Sequence, residues 1–128
     1  MKQVPNTILL VEDEPEIVEA LTEILEVRGY EVISVDSGRR AWQKFLVHYD
    51  KLCAVMCDGN IVPSRVNPVR LVKLLRKFGP TTQFIPISSS SDWNEKMLKA
   101  GASGPAIQKP IDFDALFQAL PKLPVLIH

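Results

Sequence analysis

Residues 52–60 read LCAVMCDGN, six apolar residues followed directly by an aspartate, a glycine and an asparagine. An apolar run of this length, bounded by turn-forming residues, is typical of a strand that is buried on both faces. Strands of that kind lie in parallel sheets that are covered by helices. The stretch therefore predicts an α/β protein with a buried strand over 52–57, and it leaves Asp58 at the carboxyl end of that strand.

The same pattern, a short apolar run followed by an amphipathic helix, recurs along the whole chain. Pro15, Ser37 and Pro68 suit the starts of helices, and Gly29 and Gly101 suit their ends. The predicted strands cover 7–11, 30–35, 52–57, 83–88 and 106–108; the predicted helices begin at Pro15 and after Ser37, and cover 68–78, 92–100 and 112–120. This alternation predicts one parallel sheet with helices on both faces.

The composition describes a globular protein. The chain has 128 residues, 46% hydrophobic and 23% charged, so we expect a single domain over 1–128 with its core at about 7–120 and a short apolar tail at 121–128. Lys plus Arg equal Asp plus Glu at 15 each, which gives no overall basic charge to attract nucleic acid. No apolar run reaches membrane-spanning length, and the N-terminus lacks the pattern of a signal peptide. We therefore expect a cytoplasmic protein that binds neither membranes nor, directly, nucleic acid.

Apolar residues at helical spacing predict which face of each helix is buried. The residues expected to face inward are Ala41, Trp42, Phe45 and Leu46 in the second helix, Val72, Leu75 and Phe78 in the third, and Phe113, Leu116, Phe117 and Leu120 in the last. Trp93, early in the fourth helix, is expected to be partly buried.

The two cysteines, Cys53 and Cys57, lie in the same predicted strand. They would share one face of that strand about 13 Å apart, which is too far for a disulfide between them. We expect two buried thiols in a reducing compartment. The chain has only two histidines and no Cys/His cluster, so a zinc site is not expected.

Polar residues follow four of the predicted strands. In a parallel sheet, functional groups gather beyond the carboxyl ends of the strands. If the first, third, fourth and fifth strands are neighbours, the side chains that meet there are those of Glu12, Asp13, Asp58, Ser88 and Lys109. Clustered carboxylates favour a hard cation such as Mg²⁺, while a lysine and a serine hydroxyl suit a phosphoryl group. The set indicates phosphoryl transfer with an aspartate as the covalent acceptor.

Four motifs, ILLVEDEPEI, CDGN, AGASG and QKPID, occur in the order found in a bacterial response-regulator receiver domain, which the chain resembles from Ile8 to about Leu120. The resemblance implies a three-layer, flavodoxin-like (CheY-like) fold with strand order 2-1-3-4-5. It further implies that Asp58 is the phosphoacceptor, Ser88 is the switch hydroxyl and Lys109 is the site lysine. Glu12 and Asp13 would form the acidic pair, and the Asn60 carbonyl would complete a Mg²⁺ shell. The resemblance also implies that the Lys109–Pro110 peptide is cis.

The chain departs from the pattern of this family in its acidic pair, where Glu12 replaces the commoner aspartate, and at three further places. Pro63 comes five residues after the acceptor instead of four, and the loop is longer by about two residues on our alignment. Pro86 lies inside a central strand, where it removes a ladder hydrogen bond; a bulge there would make Ser89 the switch hydroxyl instead. The place of the family's switch aromatic holds Pro105 or Ala106, so we expect the coupling between aromatic and hydroxyl to be absent.

Two functions follow from these residues. The first is a signalling switch that takes a phosphoryl group from a sensor histidine kinase or a histidine phosphotransfer protein, and then acts on a downstream protein effector or through a homodimer. The second is a degenerate receiver that binds partners without phosphorylation. Enzymatic activity beyond self-phosphorylation and autodephosphorylation is not expected. A flavin or dinucleotide site is disfavoured, because VEDEPE would repel phosphate.

Overall fold

The structure is a computed structural model that describes residues 4–61, 65–79 and 81–123. The strands are β1 Thr7–Val11, β2 Glu31–Val35, β3 Leu52–Cys57, β4 Gln83–Ser88 and β5 Ile107–Gln108. The helices are α1 Pro15–Val27, α2 Gly38–His48, α3 Pro68–Phe78, α4 Ser91–Lys99 and α5 Phe113–Ala119. All strand pairs are parallel, and the sheet order is β2-β1-β3-β4-β5. The predicted fold and strand order are confirmed, and the element bounds agree to within one or two residues.

The sheet is the middle of three layers. One apolar cluster on its first face includes side chains of α2, α3 and α4, among them Phe45, Val72 and Met97. The cluster on the other face includes Leu21 of α1 and Leu116 of α5. Because helices cover both faces, β1 is buried along its whole length, as its unbroken apolar sequence requires.

Pro86 does not introduce a bulge into the sheet. β3 and β4 pair in continuous register, from Ala54 opposite Gln83 to Cys57 opposite Pro86. The strand therefore ends at Ser88, which keeps Ser88 at the rim as first assigned.

A register shift occurs instead between β1 and β3, where Thr7 pairs with Leu52 and Ile8 pairs with Ala54. The bulge leaves Cys53 packed on the cluster beneath α1 and α5, whereas Cys57 belongs to the opposite cluster. The expectation that the two cysteines share a face is wrong for this reason. Both thiols are free, Cys53 is half-buried and Cys57 is buried.

Three of the side chains expected to face inward are exposed. Leu46 is 53% exposed, Phe78 is 56% exposed and Phe113 is 38% exposed. Trp42 stacks on Phe45 and lies 5.5 Å, between ring centroids, from Phe78, so the indole covers part of the phenyl ring that the sheet does not reach. The helical spacing predicted the correct buried face of each helix, but it included residues near the helix ends that are exposed.

Candidate functional site at the carboxyl ends of the strands

Backbone hydrogen bonds fix the residues that follow the strands. Glu12 N donates to Val35 O of β2 (3.0 Å), Asp58 N donates to Val11 O of β1 (3.0 Å), and Lys109 N donates to Ser88 O (3.3 Å). Each bond extends a parallel ladder by one residue beyond the strand. The residues that leave β1, β3 and β5 are therefore held at a common level on the rim.

Lys109 joins the two buried carboxylates of this rim. Its Nζ donates to Glu12 Oε2 and to Asp58 Oδ2, each at 2.8 Å. The side chains of Lys109, Glu12 and Asp58 are 11%, 0% and 3% exposed, respectively. Charges so far from water persist only when they are paired and hydrogen-bonded. Lys109 is thus the group that allows two carboxylates to lie side by side in the fold.

The electrostatics of the rim show the cost of this arrangement. Burial raises the pKa of Glu12, the hydrogen bond from Lys109 opposes that rise, and the charge of Asp58 adds to it. For Lys109, burial by itself would lower the pKa, but the hydrogen bonds to Asp58 and Glu12 outweigh it and the pKa is raised. Lys109 therefore carries its positive charge at neutral pH. Two carboxylates that share one ammonium form a site suited to a cation.

The carboxylates at the rim suit a divalent ion. Among the described residues, oxygen atoms of Glu12, Glu14 and Asp58 lie within 4.8 Å of one another. Hard oxygen donors at such spacing are the ligands that Mg²⁺ prefers. The donor chemistry fits the predicted magnesium; Glu14 belongs to this group of carboxylates, and Asp13, which was predicted as a ligand, does not.

Glu14 was not among the site residues predicted from the sequence. It is the N-cap residue of α1, its backbone N–H donates to Glu12 Oε1 (3.2 Å), and its carboxylate lies 3.6 Å from Lys109 Nζ. Asp13 lines a surface cavity along α1 together with Glu12 and Asp36. The run of three acidic residues at the end of β1 was visible in the sequence, but which of them turns toward Lys109 depends on how α1 begins.

Asn60 and Ser88 complete the predicted set. The backbone N–H of Asn60 donates to Asp58 Oδ1 (3.0 Å), so both oxygens of the Asp58 carboxylate are oriented, one by Asn60 and one by Lys109. The buried Ser88 hydroxyl accepts a hydrogen bond from Ser90 N (3.1 Å). The structure brings Glu12, Asp58 and Lys109 into direct contact, while Ser88 reaches the rim through its strand.

Trp93 covers Gly59, the residue after Asp58. A Cβ atom placed on Gly59 would lie 2.3 Å from Cβ of Trp93, so glycine is required for this close approach. Trp93 is half-buried, which confirms the expectation, and Ser90 Oγ caps α4 by accepting from Trp93 N (3.2 Å). Pro63, from whose position a longer loop was predicted, lies outside the described residues, as does the end of the apolar tail.

The Lys109–Pro110 peptide is cis, as expected, and Gly104–Pro105 is cis as well. β5 begins at Ile107. It follows directly on Pro105 and Ala106, one of which occupies the place of the family's switch aromatic. In the described ranges, 4–61, 65–79 and 81–123, no helix combines the length and the apolar character needed to span a bilayer.

Comparison with known proteins agrees with this geometry. The family model of the response regulator receiver domain matches residues 8–121. The two-component response regulator PprB of Pseudomonas aeruginosa is 25% identical over 126 residues, which are 95% of this chain and 45% of that protein. The chain thus spans less than half the length of this curated relative.

Solved structures show the same fold. A response regulator receiver domain protein from Clostridium thermocellum superposes with a TM-score of 0.78 at 22% identity, covering 88% of this chain and 89% of the other. The CheX-CheY-BeF3-Mg+2 complex from Borrelia burgdorferi superposes with a TM-score of 0.77 at 24% identity, covering 91% of this chain and 87% of the other. Since the family model matches almost the whole chain, this protein belongs to the response regulator receiver domain family, the CheY-like switch domains of two-component systems.

Proposed function

We propose that this receiver domain accepts a phosphoryl group on Asp58 from a phosphohistidine of a partner protein, either a sensor histidine kinase or a histidine phosphotransfer protein. The observation that carries the proposal is the environment of Asp58, which is 2% exposed and has Lys109 Nζ 2.8 Å from Oδ2. A buried, oriented carboxylate next to a fixed ammonium has the two features that an acceptor of a phosphoryl group needs, position and compensating charge.

The chemical step follows from these contacts. A carboxylate oxygen of Asp58 attacks phosphorus in line, the P–N bond to the histidine breaks, and the imidazole nitrogen leaves with the electron pair. Each carboxylate oxygen has two lone pairs, so the bonds from Asn60 and Lys109 still leave one free for attack. Lys109 remains beside the new acyl phosphate, and the Ser88 hydroxyl, which accepts from Ser90 N, keeps its own hydrogen to donate to a phosphoryl oxygen. Hydrolysis of the acyl phosphate resets the switch.

A magnesium ion belongs to the same proposal. Glu12, Asp58, Asp13 and the carbonyl of Asn60 would hold it, as the family resemblance implies, and Glu14 lies close enough to assist. When bound, Mg²⁺ neutralises charge on the phosphoryl oxygens and the surrounding carboxylates. Our proposal for the output is contact with a downstream protein or a second copy in the cytoplasm, without direct binding to nucleic acid.

The acyl phosphate can be located chemically. The protein is treated with acetyl phosphate and Mg²⁺, then with borohydride, which reduces an aspartyl phosphate to homoserine. We expect homoserine at position 58 on peptide mapping, and none when Mg²⁺ is chelated. Homoserine elsewhere would mean a different acceptor. If no homoserine forms although Mg²⁺ binds, the alternative of a receiver that binds partners without phosphorylation becomes the better account.

A further inference from the structure

The net charge of zero conceals a separation of charge between helices. α2 carries three Lys or Arg residues and α3 carries four, which makes seven, and neither helix contains Asp or Glu. α1 carries four Glu and no Lys or Arg. The basic residues are Arg39, Arg40, Lys44, Arg70, Lys73, Arg76 and Lys77; the acidic ones are Glu16, Glu19, Glu23 and Glu26.

Part of this pattern is unfavourable within the helices. Lys73 and Lys77 are like charges at i and i+4, as are Glu19 and Glu23, and such pairs destabilise a helix slightly. α4 of the same molecule has the favourable arrangement, with an ion pair of 3.0 Å between Lys99 and Glu95. Glu16 in the first turn of α1, Arg76 and Lys77 in the last turn of α3, and the Arg40–Asp36 ion pair at 3.3 Å favour their helices. Helix stability therefore explains the charges of α4 but only part of those of α1, α2 and α3.

The basic helices also expose apolar surface. α2 and α3 meet through Trp42 and Phe78, whose ring centroids are 5.5 Å apart. On these two helices Leu46 is 53% exposed, Val47 is 69% exposed and Phe78 is 56% exposed. Apolar side chains surrounded by charged ones are the usual composition of a protein interface. We call the exposed side of α2 and α3 the basic face, and that of α1 the acidic face.

We propose that the basic face docks against the acidic face of a second copy of this chain. The complementary charge is present on the same molecule, but α1 packs on one side of the sheet and α2 and α3 pack on the other. The two faces therefore point in opposite directions and cannot pair within one molecule. Val27 of α1, which is 81% exposed, offers an apolar side chain to the basic face. This association does not depend on phosphoryl transfer at Asp58.

The proposal is tested by exchanging charges between the two faces. One variant carries Lys73→Glu and Lys77→Glu on the basic face, and the other carries Glu19→Lys and Glu23→Lys on the acidic face; all four residues are exposed. A matched control carries Lys96→Glu and Lys99→Glu on α4, with the same change in net charge as the first variant. Analytical ultracentrifugation at low and high salt measures association, and circular dichroism checks the fold.

We expect the wild type and the control to self-associate at low salt and to dissociate at high salt, since salt screens contacts between exposed charges. Each face variant by itself should have a dissociation constant at least about tenfold higher, and mixing the two variants should restore association as a heteromer. A monomeric wild type at low salt overturns the proposal, and so does association that survives both reversals. A monomeric wild type could instead bind a random-sequence DNA duplex, with binding lost in the basic-face variant. That result would identify nucleic acid, and not a second copy, as the partner of the basic face.

Discussion

Replacing Lys109 with methionine tests the electrostatic arrangement of the site without involving phosphate. The substitution keeps most of the apolar stem but removes the ammonium that lies 2.8 Å from both Glu12 and Asp58. Their carboxylates, 0% and 3% exposed, would then face each other with no cation between them. Breaking a buried ion pair in this way costs about 3–5 kcal/mol.

The loss should depend on pH in a defined direction. Without Lys109, burial and the charge of Asp58 still raise the pKa of Glu12, and the opposing hydrogen bond is gone. An acid whose pKa is higher in the folded state destabilises the fold as pH rises from its unfolded value, 4.5 for Glu12, through its folded value. The favourable contribution of Lys109 to the wild type, whose pKa is raised from 10.5, is constant across that window. The deficit of Lys109→Met should therefore shrink as pH falls toward 4.5.

Urea denaturation followed by circular dichroism gives the free energy of unfolding at neutral and mildly acidic pH. Lys99→Met serves as the control, because Lys99 pairs with Glu95 at 3.0 Å but the two side chains are 76% and 63% exposed; it should cost about 0.2–1 kcal/mol. Adding Glu12→Gln to Lys109→Met should recover part of the loss, since it removes one of the two unpaired charges. If Lys109→Met costs no more than Lys99→Met at either pH, the buried triad does not exist as described.

Three further outcomes are expected. Asp13→Ala should weaken Mg²⁺ binding, measured by calorimetry, far more than Glu14→Ala, because the family resemblance assigns Asp13 to the acidic pair and the Glu14 side chain is 62% exposed; equal losses would show that the metal ligands are misassigned. Burial raises the pKa of Cys53 from 9.0 to about 11, so alkylation of this thiol at pH 9 should be about fifty-fold slower in the folded protein than in urea; equal rates would contradict its burial. Gly59→Ala should lower the free energy of unfolding by about 1–3 kcal/mol, because the added Cβ lies 2.3 Å from Trp93 Cβ; an unchanged free energy of unfolding would contradict this close approach.

The position of each site residue along the chain could be predicted from local pattern. Apolar runs that end in Glu12, Asp58, Ser88 and Lys109, together with the rule that parallel strands end at one edge, suffice to bring those residues to one rim. Pro86 suggested a bulge, yet β4 keeps its register, because the packing of both sheet faces outweighs one missing hydrogen bond.

Other features depend on pairings between distant segments. The bulge that moves Cys53 to the opposite face arises from how β1 pairs with β3, and neither strand shows it by itself. The orientation of Glu14 toward Lys109 depends on the start of α1, and the exposure of Phe78 depends on where Trp42 packs. The equal numbers of acidic and basic residues argued against a basic surface, but counts do not show how α1, α2 and α3 divide those charges.

The most direct test of the central claim is the intact mass of the protein after incubation with acetyl phosphate and Mg²⁺, beside Asp58→Asn and Asp112→Asn. Asp112 caps α5, and asparagine preserves such a cap, so the second variant is a matched control. The account predicts one added phosphoryl group in the wild type and in Asp112→Asn, and none in Asp58→Asn. Equal uptake by Asp58→Asn, or no uptake by a wild type that binds Mg²⁺, would contradict the assignment of Asp58 as the acceptor.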